Sequence, residues 1–114
     1  MKEIKFYKTA SGKSPIEDFL DSLSSKEVKK VIWVLKLIEE LERVSSEYYK
    51  PLTNTDGIIE IRAKLGTNHF RLLGFENKGK FVVLTNGFRK KSQKVPSSEI
   101  KLAQQRKKEY LKNE

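Results

Sequence analysis

The chain has 114 residues, no cysteine, one histidine and a formal net charge of +9. That length suits a single domain over 1–114; the lack of Cys excludes disulfide staples and thiolate metal sites, and a lone His69 excludes a His-rich one, so no metal or cofactor is expected. No apolar run approaches the roughly 20 residues of a membrane span, and Met-Lys-Glu-Ile-Lys-Phe-Tyr is no signal peptide, which predicts a soluble, cytoplasmic protein without a membrane partner.

The charge is one-sided. Residues 1–47 hold nine Lys or Arg against nine Asp or Glu, and residues 48–114 hold fifteen against six. Between Asn77 and Ser98 no acid occurs, while Lys78, Lys80, Arg89, Lys90, Lys91 and Lys94 accumulate. A local basic cluster of this kind is the footprint of a nucleic-acid or ribonucleoprotein partner, although a solubilising face can look the same.

Ile4 and Phe6 alternate with Glu3, Lys5 and Tyr7, predicting a short strand at a sheet edge, and a loop over residues 9–13 follows. Ser14-Pro15-Ile16-Glu17 reads as a helix start with a serine cap, a proline at the first position and a glutamate placed to close a capping box; this helix ends near Leu23. Ser24 and Glu27 repeat the spacing and open a longer helix through about Val44. Val28, Val31, Ile32, Leu35 and Ile38 form one face of it, and Trp33, Leu37, Leu41 and Val44 widen the arc. A position between the sheet and the first helix would bury that arc; otherwise the surplus docks a partner protein.

Strand signals then take over. Ile59, Ile61, Ala63 and Leu65 share one face of a strand, and Glu60, Arg62 and Lys64 the other. A turn at Gly66-Thr67-Asn68 leads to a strand from about His69 to Phe75, and Asn77-Lys78-Gly79 is a second hairpin turn with Gly79 at positive φ. Phe81 to Leu84 is apolar on both faces, as in a central strand, and then runs into an apparent glycine turn at Gly87 ahead of the cations. Pro96-Ser97-Ser98-Glu99-Ile100 starts a basic C-terminal helix with Ile100, Ala103, Tyr110 and Leu111 on its apolar face.

The first hairpin constrains the site. A two-residue loop sets Arg62 opposite Arg71, a four-residue loop sets Lys64 opposite Arg71, and a three-residue loop would push Arg71 onto the apolar face. Like charges across a strand pair destabilise the free protein, so an anion is expected there, and Arg71→Ala should fold at least as well as the parent. Alternatively Glu60 neutralises Arg62 as a solvated ion pair.

Ile59-Glu60-Ile61-Arg62, Phe70-Arg71-Leu72-Leu73, the run from Leu84 through Gly87-Phe88-Arg89-Lys90-Lys91-Ser92-Gln93-Lys94 to Pro96, and Glu99-Ile100 with Ala103 and Arg106 together resemble the RelE/ParE superfamily of toxin–antitoxin systems. The likeness is closest to its HigB-like, phage-related host-inhibition branch and covers roughly residues 58 to 110. It implies an α+β fold, a small antiparallel twisted sheet with two N-terminal helices and a C-terminal helix. It also implies a growth-inhibiting toxin, commonly an endoribonuclease (mRNA interferase) that cuts messenger RNA on the ribosome without metal, restrained by a cognate antitoxin, expected to be a small helix-turn-helix protein. Two positions depart from the pattern. Val95 stands where Thr is usual, leaving Ser97 as a substitute cap, and Phe70 stands where Tyr is frequent.

RNA can be cut without metal when its own 2′-hydroxyl attacks the adjacent phosphate. The protein must then align the attack, offset phosphorane charge and manage two protons. Arg71 and Arg62 suit the charge, and Lys64, Arg89, Lys94 and a stacking Phe88 suit RNA binding. Crowding among cations favours a neutral lysine, Lys90 or Lys91, for proton transfer; sequence does not separate them. His69, on the Arg71 face by strand parity, and Glu60 are further possibilities. The alternatives are a ParE-like DNA gyrase poison without nuclease activity and a non-catalytic RNA- or DNA-binding module.

Overall fold

The two serine signals start helices as their spacing predicts. In the computed structural model, which describes residues 2–114, Ser14 Oγ accepts from the Glu17 N–H at 3.3 Å to begin α1 (Pro15–Asp21). Ser24 and Glu27 form the reciprocal box that begins α2 (Ser25–Glu40), each side chain accepting from the other's backbone N–H. The second helix stops four residues short of Val44, because Leu41 is already extended (φ −98°, ψ 138°), and Val44 packs on the core from the following loop.

The strands are β1 (Glu3–Phe6), β2 (Tyr49–Pro51), β3 (Ile58–Leu65), β4 (Asn68–Asn77) and β5 (Phe81–Arg89), and a third helix, α3 (Ser97–Lys112), follows. They make one sheet in the order β1-β5-β4-β3-β2. The α+β class and helix count are as expected, but the sheet is mixed rather than antiparallel. Two helices separate β1 from the rest, and it docks beside β5 in parallel, whereas β2 to β5 pair antiparallel as a meander.

Alternation along the strands builds two cores. Ile59, Ile61, Ala63, Phe70, Leu72, Val82 and Leu84 face α1 and α2 with Ile16, Val31, Val34, Leu35 and Ile38. Ile58, Leu73, Phe75 and Val83 face the other way, toward α3 and Tyr7. Helix α2 is not sandwiched: α1 lies on β5 and α2 on β3, in one layer, which leaves Trp33 and Leu41 exposed. Among the described helices, none is long and apolar enough to cross a membrane.

One irregularity decides which side chains reach the site. Leu73 pairs with Asn86 but Gly74 with Leu84, so Thr85 is an extra residue in β5, a β-bulge. The Thr85 hydroxyl donates to the Leu73 carbonyl (3.1 Å), and Arg106 donates to the Thr85 carbonyl (2.8 Å), satisfying the buried bulge. The strand therefore continues through Gly87, which is no turn. A Cβ there would lie 2.5 Å from the Phe19 ring, so glycine at this position lets α1 approach the sheet.

The C-terminal helix starts without a side-chain cap. Pro96 occupies the N-cap and Ser97 is the first helical residue, so Ser97 does not replace the missing threonine.

Candidate functional site

The Gly66-Thr67 loop has two residues, and Arg62 faces Arg71 across β3 and β4 as that register requires. The same parity puts Glu60, Lys64 and His69 on this face. The bulge brings Lys90 to it as well, because Arg89 pairs with Phe70 and Lys90 then donates its backbone N–H to the His69 carbonyl (2.8 Å). Beyond β5 the chain turns, and residues 90–93 wall one side of an open groove of about 690 Å³ lined by Arg62, Thr67, His69, Arg71, Lys90, Lys91, Ser92 and Gln93.

Arg71 forms the buried floor. It is 3% exposed, donates from Nη1 to the Phe70 carbonyl (3.0 Å), and its Nε lies 3.1 Å from Glu60 Oε2. Glu60 is itself 4% exposed and stands 3.8 Å from Arg62 Nε. The like charges across the strand pair are thus bridged from within the fold, and Glu60, which the alternative reading of the sequence made half of a solvated pair with Arg62, is a buried carboxylate between two guanidiniums. One carboxylate against two arginines leaves positive charge over. Glu60 Oε2 and Arg71 Nε approach without the alignment of a hydrogen bond and, among the described residues, have no hydrogen-bond partner.

Proton affinities follow the crowding. Burial, then the charges of Arg71, Lys64, Lys90 and Arg62, hold the His69 imidazole below its ordinary value, so it is neutral at physiological pH. Burial, then Arg71, also pulls Lys90 below the usual lysine value, with Arg62 and Lys50 adding to this and Glu60 opposing it. Burial likewise lowers Arg71, which remains a cation at neutral pH because a guanidinium starts so high.

The other expected residues separate. Lys91 is exposed and lines the groove, and Lys64 lines an adjoining hollow. Lys94 is exposed outside both, its carbonyl accepting from Ser92 Oγ at 2.9 Å. Phe88 shares the groove's face of the sheet but packs with Ile58, Leu73, Val95, Ile100 and Ala103 beneath α3. Arg89 is placed on the opposite face. The bulge sends it to α2, where its guanidinium grips Glu27 in two bonds of 3.0 and 2.9 Å. That grip, with the Ser24 backbone N–H, pulls the Glu27 carboxyl down to about 2. Thr67, Ser92, Gln93, Lys30 and Tyr48 were not anticipated from sequence; the first three sit in turns beside the expected cations, which is the one signal that could have found them.

A family model described as phage derived protein Gp49-like (DUF891) matches residues 18–108, which include every residue of the groove. The search of curated proteins found no match.

Proposed function

From the premise that this chain belongs to the Gp49-like, phage-derived family, within the RelE/ParE-type toxin superfamily, we propose that it is the growth-inhibiting toxin of a toxin–antitoxin pair, acting as an endoribonuclease on ribosome-bound messenger RNA. The observation that carries this is the convergence, on one sheet face, of Arg62 and Arg71 with two proton-carrying groups of lowered affinity, His69 and Lys90.

The roles follow from charge. Neutral His69 takes the proton of the attacking 2′-hydroxyl, while Lys90, whose hold on its proton is loosened by burial and by Arg71, gives one to the departing 5′-oxygen. Its neighbour Lys91 is a phosphate anchor at the rim. Arg62 and the free edge of the Arg71 guanidinium offset charge on the phosphorane, where the acid-free lining of the groove favours an anion. Because the groove is open, a second surface must order the scissile phosphate, and ribosomal RNA supplies it. The antitoxin's task is to deny RNA this face.

Expression without the antitoxin tests the proposal: growth should stop, with messages cut inside translated regions. Intact messages beside accumulated cleaved gyrase complexes would place the chain among the gyrase poisons.

A further inference from the structure

The groove does not end at Arg62. Strand β2 pairs with β3 over Ile59–Ile61, with one further bond from the Arg62 N–H to the Tyr48 carbonyl (2.9 Å), so among the described residues no strand covers this edge of β3 beyond that point. Around this open edge lies a second hollow of about 360 Å³, which shares Arg62, His69 and Arg71 with the groove and adds Lys30, Glu47, Tyr48, Ala63 and Lys64. Its volume is that of a small-ligand site.

We propose that this hollow is a base-stacking subsite, in which the Tyr48 ring receives an unstacked nucleobase of single-stranded RNA next to the phosphate held over Arg62 and Arg71. The inference rests on the nucleic-acid reading of the groove and adds where the neighbouring nucleotide goes. Three features carry it.

The two hollows differ in chemistry. Among the described residues, the groove is lined by cations and neutral polar groups, which suits phosphate. The hollow adds a phenol ring, a methyl group and one carboxylate, Glu47, which repels phosphate but accepts from the exocyclic amine of a base.

The ring is also braced. Trp33 on α2 stands edge to face with Tyr48, centroids 5.7 Å apart and planes at 82°, and Lys30 Nζ lies 4.3 Å from the Trp33 ring centre. A T-shaped contact covers at most one face of Tyr48. The two rings and the lysine therefore form a fixed aromatic and cationic platform, the combination that binds single strands without demanding a sequence.

Finally, Trp33 is 45% exposed, from a helix whose inward face is already filled by Val31, Val34, Leu35 and Ile38. Bracing Tyr48 at the mouth of a cationic hollow gives that exposed ring a task.

Trp33 is the only tryptophan, so the site carries its own reporter. The protein is titrated with short single-stranded RNA whose 2′-hydroxyls are methylated to prevent cutting, following Trp33 emission and affinity. Abasic sites are then placed one position at a time. One position should weaken binding when its base is removed, and only that position. Tyr48→Ala should weaken binding of the intact strand by roughly 5- to 150-fold, the range for losing one stacked base, with the salt dependence unchanged because no phosphate contact is lost. Tyr48→Phe should bind as the parent does, and the sensitive abasic position should disappear in Tyr48→Ala.

An abasic scan with no sensitive position in the parent protein overturns the proposal without any variant having to fold. So does a folded Tyr48→Ala that binds RNA like the parent, or one that weakens only the complex with the antitoxin. Because cutting is not read, a protein that stacks the base and cleaves nothing would sink the nuclease reading and leave this one standing.

Discussion

Replacing Arg71 tests the site and the fold together. Sequence parity suggests that Arg71→Ala relieves a like-charge pair and folds at least as well as the parent; the structure reverses that expectation. Arg71 and Glu60 are 3% and 4% exposed and paired at 3.1 Å, so truncating the arginine strands a carboxylate in a place water does not reach. Breaking a buried pair from one side costs about 3–5 kcal/mol. Here Arg62 stays 3.8 Å from Glu60 and the lost contact is not an aligned hydrogen bond, which places the cost near the lower end of that range, about 3 kcal/mol. For a domain of this size the melting temperature should fall by roughly 10–15 °C. Adding Glu60→Gln should recover most of it, since the neutral amide no longer needs a cation. Turnover in the folded double variant, assayed well below its melting point, should still be down by roughly the 10²–10³-fold of a lost transition-state donor. Differential scanning calorimetry with single-turnover cleavage on programmed ribosomes reads both. An Arg71→Ala protein that melts with the parent would refute the buried-pair argument, and a fully active one would remove the charge-stabilising role.

Lys90→Ala should lose turnover, whereas Lys91→Ala should chiefly weaken RNA or ribosome binding and make its salt dependence shallower; single-turnover rates and binding isotherms at several salt concentrations separate the two. The single-turnover rate should follow a bell in pH, its acid limb below 6.5 because His69 is lowered from that value, and its alkaline limb below 10.5 because Lys90 is lowered from that one; a His69→Gln variant should lose the acid limb. The Glu27 carboxyl is depressed from 4.5 to about 2 in the fold, so the stability it lends is complete above 4.5 and disappears as pH falls toward 2. Arg89→Gln should flatten that part of the acid-unfolding curve while leaving RNA affinity unchanged, and a fall in affinity would return Arg89 to the RNA-binding surface.

Local chemistry made much of this legible. Both serine-started helices and the face that Arg71 shares with Arg62, His69 and Glu60 follow from spacing and a period of two, whereas the choice of Arg62 over Lys64 opposite Arg71 needed the two-residue loop of the structure. The position of Arg89 on the α2 side of the sheet has a single physical origin, the Thr85 bulge. One extra residue inverts every later side chain of β5, exchanging Arg89 for Lys90 on the groove face. Thr85-Asn86-Gly87 is the sole trace of it in the sequence, a polar run within an apolar strand that equally resembles a turn. The burial of Glu60 is a tertiary fact, since exposure on that face depends on where α3 and the loop of residues 90–93 lie.

The chemistry of the cut ends tests the central claim most directly. Attack by the 2′-hydroxyl, with His69 and Lys90 moving the protons, must leave a 2′,3′-cyclic phosphate on the upstream fragment and a 5′-hydroxyl on the downstream one. Ribosome-bound messages exposed to the purified protein should carry those ends, and Lys90→Ala should yield almost none. Uncut messages, or fragments with a 5′-phosphate and a 3′-hydroxyl, would contradict the account.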